Sequence, residues 1–307
     1  MNNLDKTKNF DKTIINWYPG HMTKAKREMS EKIKLVDMVI EIRDARIPLS
    51  SINPLLDEII GSKPRLIVLS KADKAENEET KKWISYFKSQ GHETVALNLI
   101  GDRNVASTIS NCCLTIMKDK IDRLKARGLK RVEIKAMVVG IPNVGKSTLI
   151  NSVSKRKIAK TADKPGITRA LTWIKVSNEV ALLDTPGVLW PKFEDLKVGF
   201  MLAVTGAIRD DVLPMQSIIE FAIGFLIKNH KEKLVKRYEI EVSEDIFETI
   251  NKIAISRGCI QQDETIDYKR VYALILKDIR DNQLGPISWE KTDEDSKWFW
   301  KTLLVFR

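Results

Sequence analysis

Cysteine, histidine and long apolar runs are the scarce features of this chain. Its 307 residues hold three cysteines and three histidines. Cys112 and Cys113 are adjacent and Cys259 stands alone, so neither a disulfide framework nor a zinc-ligand spacing is present. That usage fits a reducing, cytoplasmic setting. The opening MNNLDKTKNFDKT lacks the apolar core of a signal peptide and is not acid-free like a mitochondrial presequence. The longest apolar stretch, Ile218 to Ile227, is interrupted by Glu220 and is about half a membrane span. No internal repeat or low-complexity block occurs, and no integral membrane span is expected.

What is abundant is positive charge: the formal net charge is +11 and the pI about 9.4. Such an excess suits a polyanion, either nucleic acid or an anionic membrane face, although a basic protein without such a partner satisfies the same number. The 43% hydrophobic content over this length supports two domains with proper cores.

Short apolar runs at Met38–Ile42, Leu66–Leu69, Thr94–Leu97, Ala136–Val139 and Val180–Leu183 predict buried strands. Helical stretches such as Glu76–Ser89 and Thr148–Ser154 separate them. Strands alternating with helices predict a mainly parallel, doubly wound α/β sheet. Beyond about Lys197 the pattern becomes helical. One long helix is predicted over Met215–Tyr238, then Asp245–Arg257 and Asp267–Asp281, with Gly258 and Gly285 just past two of the ends. The expected organisation is an α/β domain over 1–197, a small all-α domain over 198–289 and a polar, then aromatic, tail over 290–307.

Gly140-Ile-Pro-Asn-Val-Gly-Lys-Ser147 is a complete G-x-x-x-x-G-K-S between a predicted strand and a predicted helix. Its backbone N–H groups can close around phosphates, Lys146 can neutralise the β/γ charge, and the Ser147 hydroxyl can bind Mg²⁺. Val144, Gly145 and Thr148 are the loop's other expected nucleotide contacts. Asp184-Thr-Pro-Gly187 follows the strand Val180–Leu183: Asp184 can hold Mg²⁺ through water, and the Gly187 N–H can meet a γ-phosphate. Between them, Thr168 can complete the Mg²⁺ shell, with Thr172 as its competitor; either could be an ordinary turn or strand threonine. Ser70-Lys-Ala-Asp73 resembles the N/T-K-x-D guanine motif. The Asp73 carboxylate can accept from both guanine N1–H and the 2-amino group, donors that adenine lacks there. Lys71 would lie along the base, Ser70 stands where Asn is usual, and Asn98 occupies the place of the usual follow-on motif.

The order of these motifs is informative. The guanine motif precedes the P-loop, the reverse of an ordinary GTPase. Joining the usual ends and reopening the chain after D-x-x-G gives this order while leaving the sheet unchanged. Trp17-Tyr-Pro-Gly-His-Met22, Asp44-Ala-Arg-Ile-Pro48, the permuted order and Asp267-Tyr…Leu284-Gly285 together resemble the bacterial ribosome biogenesis GTPase A (YlqF) family over roughly residues 15–290. The resemblance implies a circularly permuted P-loop GTPase. It further implies a late assembly factor that hydrolyses GTP to GDP on the precursor of the large (50S) ribosomal subunit and contacts its rRNA. C-terminal helices like an ANTAR-type RNA-binding module are implied as well; a monomer is expected.

Val188 and Leu189 stand where many GTPases carry a water-orienting Gln, and neither side chain can hydrogen-bond water. The resemblance suggests His21 in that role. A histidine can orient water or accept a proton near neutral pH; capping the helix over Lys24–Lys34 or binding RNA are its other readings. Asn143 can help hold K⁺ between the α- and γ-phosphates, or make only a local turn bond. Lys118 to Lys135 contains eight Lys/Arg against three acids, and Lys228–Arg237 and Lys269–Arg280 are also basic. Such faces suit phosphate backbones or are simply solvated. Competing functions are a GTP-switched binding placeholder with negligible turnover and a permuted GTPase of the small subunit.

Overall fold

A computed structural model describes residues 27, 29–154, 173–185, 195–210 and 214–295. The strands are β1 Met38–Asp44, β2 Arg65–Ser70, β3 Glu93–Leu97, β4 Ile134–Val139, β5 Trp173–Lys175 and β6 Val180–Leu183. They form one sheet in the order β3-β2-β1-β4-β6-β5. All neighbours are parallel except β5, which pairs antiparallel with β6 at the edge. The five predicted strands are present, and β5 is an addition.

Alternation along β1 explains the layers. Met38, Ile40 and Ile42 face a core shared with α3 (Val105–Ile116) and α5 (Lys146–Val153). Val39 faces the opposite core, with Met29 and Ile33 before the sheet and Leu56 and Ile59 of α1 (Pro54–Ile60). Trp83 and Phe87 of α2 (Asn77–Ser89) cover Ile67 and Leu69 on that same side. β1 continues past its apolar run through Arg43 and Asp44, both buried. These charges are tolerated because they are paired: Arg43 donates to Glu41 at 2.8 and 3.0 Å, and its guanidinium lies 4.8 Å from the Phe87 ring centroid. A basic helix, α4 (Lys118–Ala126), leads into β4.

After β6 the chain becomes helical: α6 Leu196–Val204, α7 Met215–Asn229, α8 Lys231–Tyr238, α9 Ile246–Ser256 and α10 Tyr268–Arg280. Two expectations are corrected here. The helix predicted over Met215–Tyr238 is two helices, broken at His230, which has φ −149° and ψ 40°. Its buried imidazole lies 3.8 Å from Glu76 and beside the Phe225 ring, a tertiary contact with no local breaker signal. Gly258 follows α9 with φ +63°, but Gly285 lies beyond the end of α10, where Asn282 takes the left-handed conformation at φ +63°. Beyond α10 the chain packs back along the base loop and β1. The Ile287 N–H donates to the Lys74 carbonyl at 3.0 Å, Trp289 N–H to Arg46 O at 2.9 Å, and Trp83 Nε1 to Glu290 O at 3.3 Å. Trp289 is buried against Phe225, ring centroids 4.7 Å apart, and one continuous apolar core runs from β1 to Trp289.

No helix among the described residues is long and apolar enough to cross a membrane. Cys112, Cys113 and Cys259 are free thiols, and burial pushes Cys113 up to about 12.

Candidate nucleotide site

The strand order reverses between β1 and β4, and in open parallel sheets the crevice at the carboxyl ends of such a pair is where ligands bind. A cleft of about 960 Å³ lies there, lined by Ser70, Lys71, Asp73, Asn98, Asn143, Gly145, Lys146, Ser147 and Thr148 among others. The sequence-predicted base and phosphate motifs therefore meet in one cavity, although some seventy residues separate them in the chain.

Backbone sterics build the phosphate loop between β4 and α5. At Gly140 (φ +149°) a Cβ would sit 2.6 Å from the Ile42 carbonyl oxygen, and at Gly145 (φ +107°) 3.2 Å from Leu99 Cδ1. Only glycine allows this approach of loop to sheet. Gly145 also precedes α5, so that helix's N-terminal N–H groups point at the cleft. Lys146 is buried, its Nζ donating to Ile141 O at 2.7 Å. Burial pushes its ammonium down to about 8, with Asp184 opposing. An anionic ligand would reverse that shift.

Asp184, at the end of β6, is 4% exposed, and its Oδ1 has no hydrogen-bond partner among the described residues. Burial raises its pKa, against the pull of Lys146 and the Thr185 N–H. A buried carboxylate oxygen left in this state fits a hard divalent cation. Mg²⁺ is commonly held by one or two protein oxygens, with waters and substrate phosphates completing its shell. Asp184 and the hydroxyl of Ser147 are the described residues that would hold it; bound there, it would offset phosphate charge.

At the base end, Ser70 Oγ lies 2.5 Å from the Val144 carbonyl and 3.0 Å from that of Arg43. Serine thus joins the base loop to the phosphate loop, and Val144 contributes a backbone carbonyl while its own side chain is buried. Lys71 has φ +55° and donates to Asp44 Oδ2 at 2.8 Å. Asn98 lines the cleft, but its Oδ1 accepts from its own loop, Ile100 N–H at 3.1 Å and Gly101 N–H at 3.0 Å. Asn143, with φ +54°, donates from Nδ2 to Gly206 O at 3.0 Å, so this P-loop side chain reaches the turn after α6. His21, Thr168 and Gly187, with the alternative Thr172, lie outside the described residues.

The cleft is also lined by Arg46, which stands in the Asp44–Pro48 motif without an assigned role, and by Lys74, Thr205, Gly206, Arg209 and Arg280, which no nucleotide motif includes. Arg280 bridges α10 to the end of α6, donating to Ala203 O at 2.5 Å and to Asp210 Oδ1 at 2.6 Å. In the sequence Arg46 is visible through that motif and Arg280 only as the end of the basic run Lys269–Arg280; nothing local places either side chain at the cleft.

A P-loop and a guanine-type loop meeting at the switch point of a doubly wound sheet, in reversed chain order and followed by helices, define a circularly permuted P-loop GTPase. A family profile described as "50S ribosome-binding GTPase" matches residues 135–254, a span that starts at β4 and leaves the base motif upstream. Ribosome biogenesis GTPase A of Bacillus cereus is 49% identical over 282 residues, 92% of this chain and 95% of that one. Mitochondrial ribosome-associated GTPase 1 of Bos taurus is 32% identical, over 91% of this chain and 89% of its own. A GNP-bound YlqF structure from T. maritima superposes with a TM-score of 0.61 at 26% identity, covering 87% of this chain and 98% of that one. The chain belongs to the ribosome biogenesis GTPase A family.

Proposed function

We propose that this protein hydrolyses GTP in the cleft between β1 and β4 during a late step of large (50S) ribosomal subunit maturation, binding the precursor particle and its rRNA in the GTP state. The observation that carries the nucleotide half is the convergence of Ser70, Lys71 and Asp73 with Lys146 and Ser147 in one cleft. The ribosomal half is supported by relatives named ribosome biogenesis GTPase A and by the excess of positive charge. In this reading Asp73 selects guanine, Lys146 offsets phosphate charge, and Ser147, Thr168 and Asp184 hold Mg²⁺. Gly187 meets the γ-phosphate and His21 orients the attacking water. Asn143 offers its Oδ1 to K⁺, because its Nδ2 is already committed to Gly206. The helices over 198–289 are the RNA-binding part of a cytoplasmic monomer.

The test is co-sedimentation with immature large subunits. Tighter association with a non-hydrolysable GTP analogue than with GDP is expected. Equal association in both states would refute the GTP-state reading, and a preference for small subunits would move the protein to the other particle.

A further inference from the structure

A buried ion cluster closes β1 directly beneath the base loop. Asp44 is 1% exposed, yet two cationic side chains converge on it. Its Oδ1 accepts from the Arg46 backbone N–H at 3.1 Å and from Arg46 Nε at 2.9 Å. Its Oδ2 accepts from Arg46 Nη2 at 2.7 Å and Lys71 Nζ at 2.8 Å. Burial opposes an ionised Asp44, but Arg46 and Lys71 hold its carboxyl well below the usual carboxylate range. The sheet register places Asp44 opposite Ser70, so the carboxylate is fixed next to the residue where the base loop begins.

Lys71 has its Nζ committed to Asp44 and, from its left-handed backbone, lines the nucleotide cleft. A lysine so anchored cannot swing its stem into solvent. Four methylenes on an untethered lysine would sample many rotamers and offer a base no defined surface. With both ends held, the stem is a preformed apolar wall, and forming the complex no longer costs that ordering entropy. Arg46 completes the arrangement. Its bidentate contact satisfies the rest of the carboxylate, and its Nη2 also donates to Thr205 O at 2.9 Å, so Asp44 itself does not move.

We propose that Asp44 is a positioning residue of the base site: it anchors the Lys71 ammonium so that the lysine stem forms one wall of the purine slot. The inference rests on the GTP reading of the cleft. It separates two tasks within the loop. Asp73 distinguishes guanine from other bases through its carboxylate, whereas Asp44 and Lys71 act on any purine, because a methylene wall does not read the 2-amino group.

The experiment is a double-mutant cycle on nucleotide affinity with Asp44→Asn, Lys71→Met and both together, measured with labelled GDP and IDP well below each variant's melting temperature. Lys71→Met keeps the stem and removes the anchored charge. Each single variant is expected to weaken GDP roughly tenfold or more, the scale of the ordering entropy of one lysine side chain. IDP should weaken by the same factor, and the double variant should be no worse than the weaker single. Multiplying effects, or an Asp44→Asn protein that melts earlier yet binds GDP normally, would overturn the inference and leave Asp44 a staple of the fold. If Asp44→Asn does not fold, Lys71→Met decides alone, since unchanged GDP affinity there removes any role for the anchor. Wild-type protein that binds ADP as well as GDP would instead defeat the GTP reading itself.

Discussion

Glu290 binds Ser50 across 240 positions of sequence: its Oε1 accepts the Ser50 N–H at 2.8 Å and also the Ser50 hydroxyl, while Oε2 accepts the Leu49 N–H at 2.6 Å. A buried acid from beyond α10 thus caps the turn that follows β1. Burial raises this carboxyl to about 7, from an ordinary 4.5, against the pull of its donors. Between those two values the folded protein holds a proton that the unfolded chain has released. Stability should therefore fall as pH rises from about 4.5 to about 7 and level off above, a total of about 3 kcal/mol. Glu290→Gln should flatten this part of the profile in denaturant titrations at several pH values. An unchanged slope would mean the acid titrates normally.

Lys146 gives a pH dependence of the same sign, but in binding and at higher pH. Its ammonium is pushed down to about 8 by burial. Phosphates favour the charged form, so above about pH 8 nucleotide binding must take up a proton. GDP affinity should be level between about pH 7 and 8 and then weaken towards about pH 9, by at most about tenfold per unit. Fluorescence titration with labelled GDP checks this; affinity independent of pH would show that Lys146 is fully charged before nucleotide arrives.

Base choice tests Asp73. Asp73→Asn should weaken GTP and favour xanthosine triphosphate, whose 2-oxo group accepts where guanine donates. Competition binding of the two nucleotides reads the switch, and a variant that keeps its guanine preference would remove Asp73 from the base pocket.

The monovalent cation tests Asn143. Hydrolysis should run faster in K⁺ than in Na⁺, and Asn143→Ala should erase the difference. That substitution also removes the bond to Gly206, so thermal melting should be followed alongside. A wild-type rate indifferent to the cation would dispose of the K⁺ site.

Salt dependence tests the basic surface. Lys125, Arg127, Lys130 and Arg131 are exposed and, among the described residues, carry no ion pair. If they meet rRNA phosphates, changing all four to alanine should reduce the salt slope of particle binding by roughly three, at slightly under one per contact. GDP affinity should stay level. An unaltered slope would assign this face to solvent.

Legibility in the sequence followed the strength of local signals. The five parallel strands announce themselves because each is a short apolar run, four of them buried almost throughout. β5 does not: Trp173 and Lys175 are exposed and only Ile174 is buried, too little alternation to read. The P-loop and the base loop are legible because their chemistry demands particular residues at fixed spacing. Asn98, singled out by its position after β3, lines the cleft, but its side-chain oxygen serves its own turn. Glu290 was read as part of a polar tail because acids are rarely buried; only its donors, from residues 49 and 50, reverse that inference. The break at His230 is also illegible, because no Gly or Pro marks it in the sequence.

The strap formed by Ile287, Trp289 and Glu290 also fixes a timetable for biosynthesis. The base loop emerges early in translation, yet Lys74 O, Arg46 O and the Leu49 and Ser50 N–H groups gain these partners only when residues 287–290 have been made. At roughly 5–20 residues per second, the stretch from Ser147 to Glu290 takes roughly 7–30 s to translate. Throughout that interval a nascent chain holds both nucleotide-binding loops without the clasp that closes over one of them.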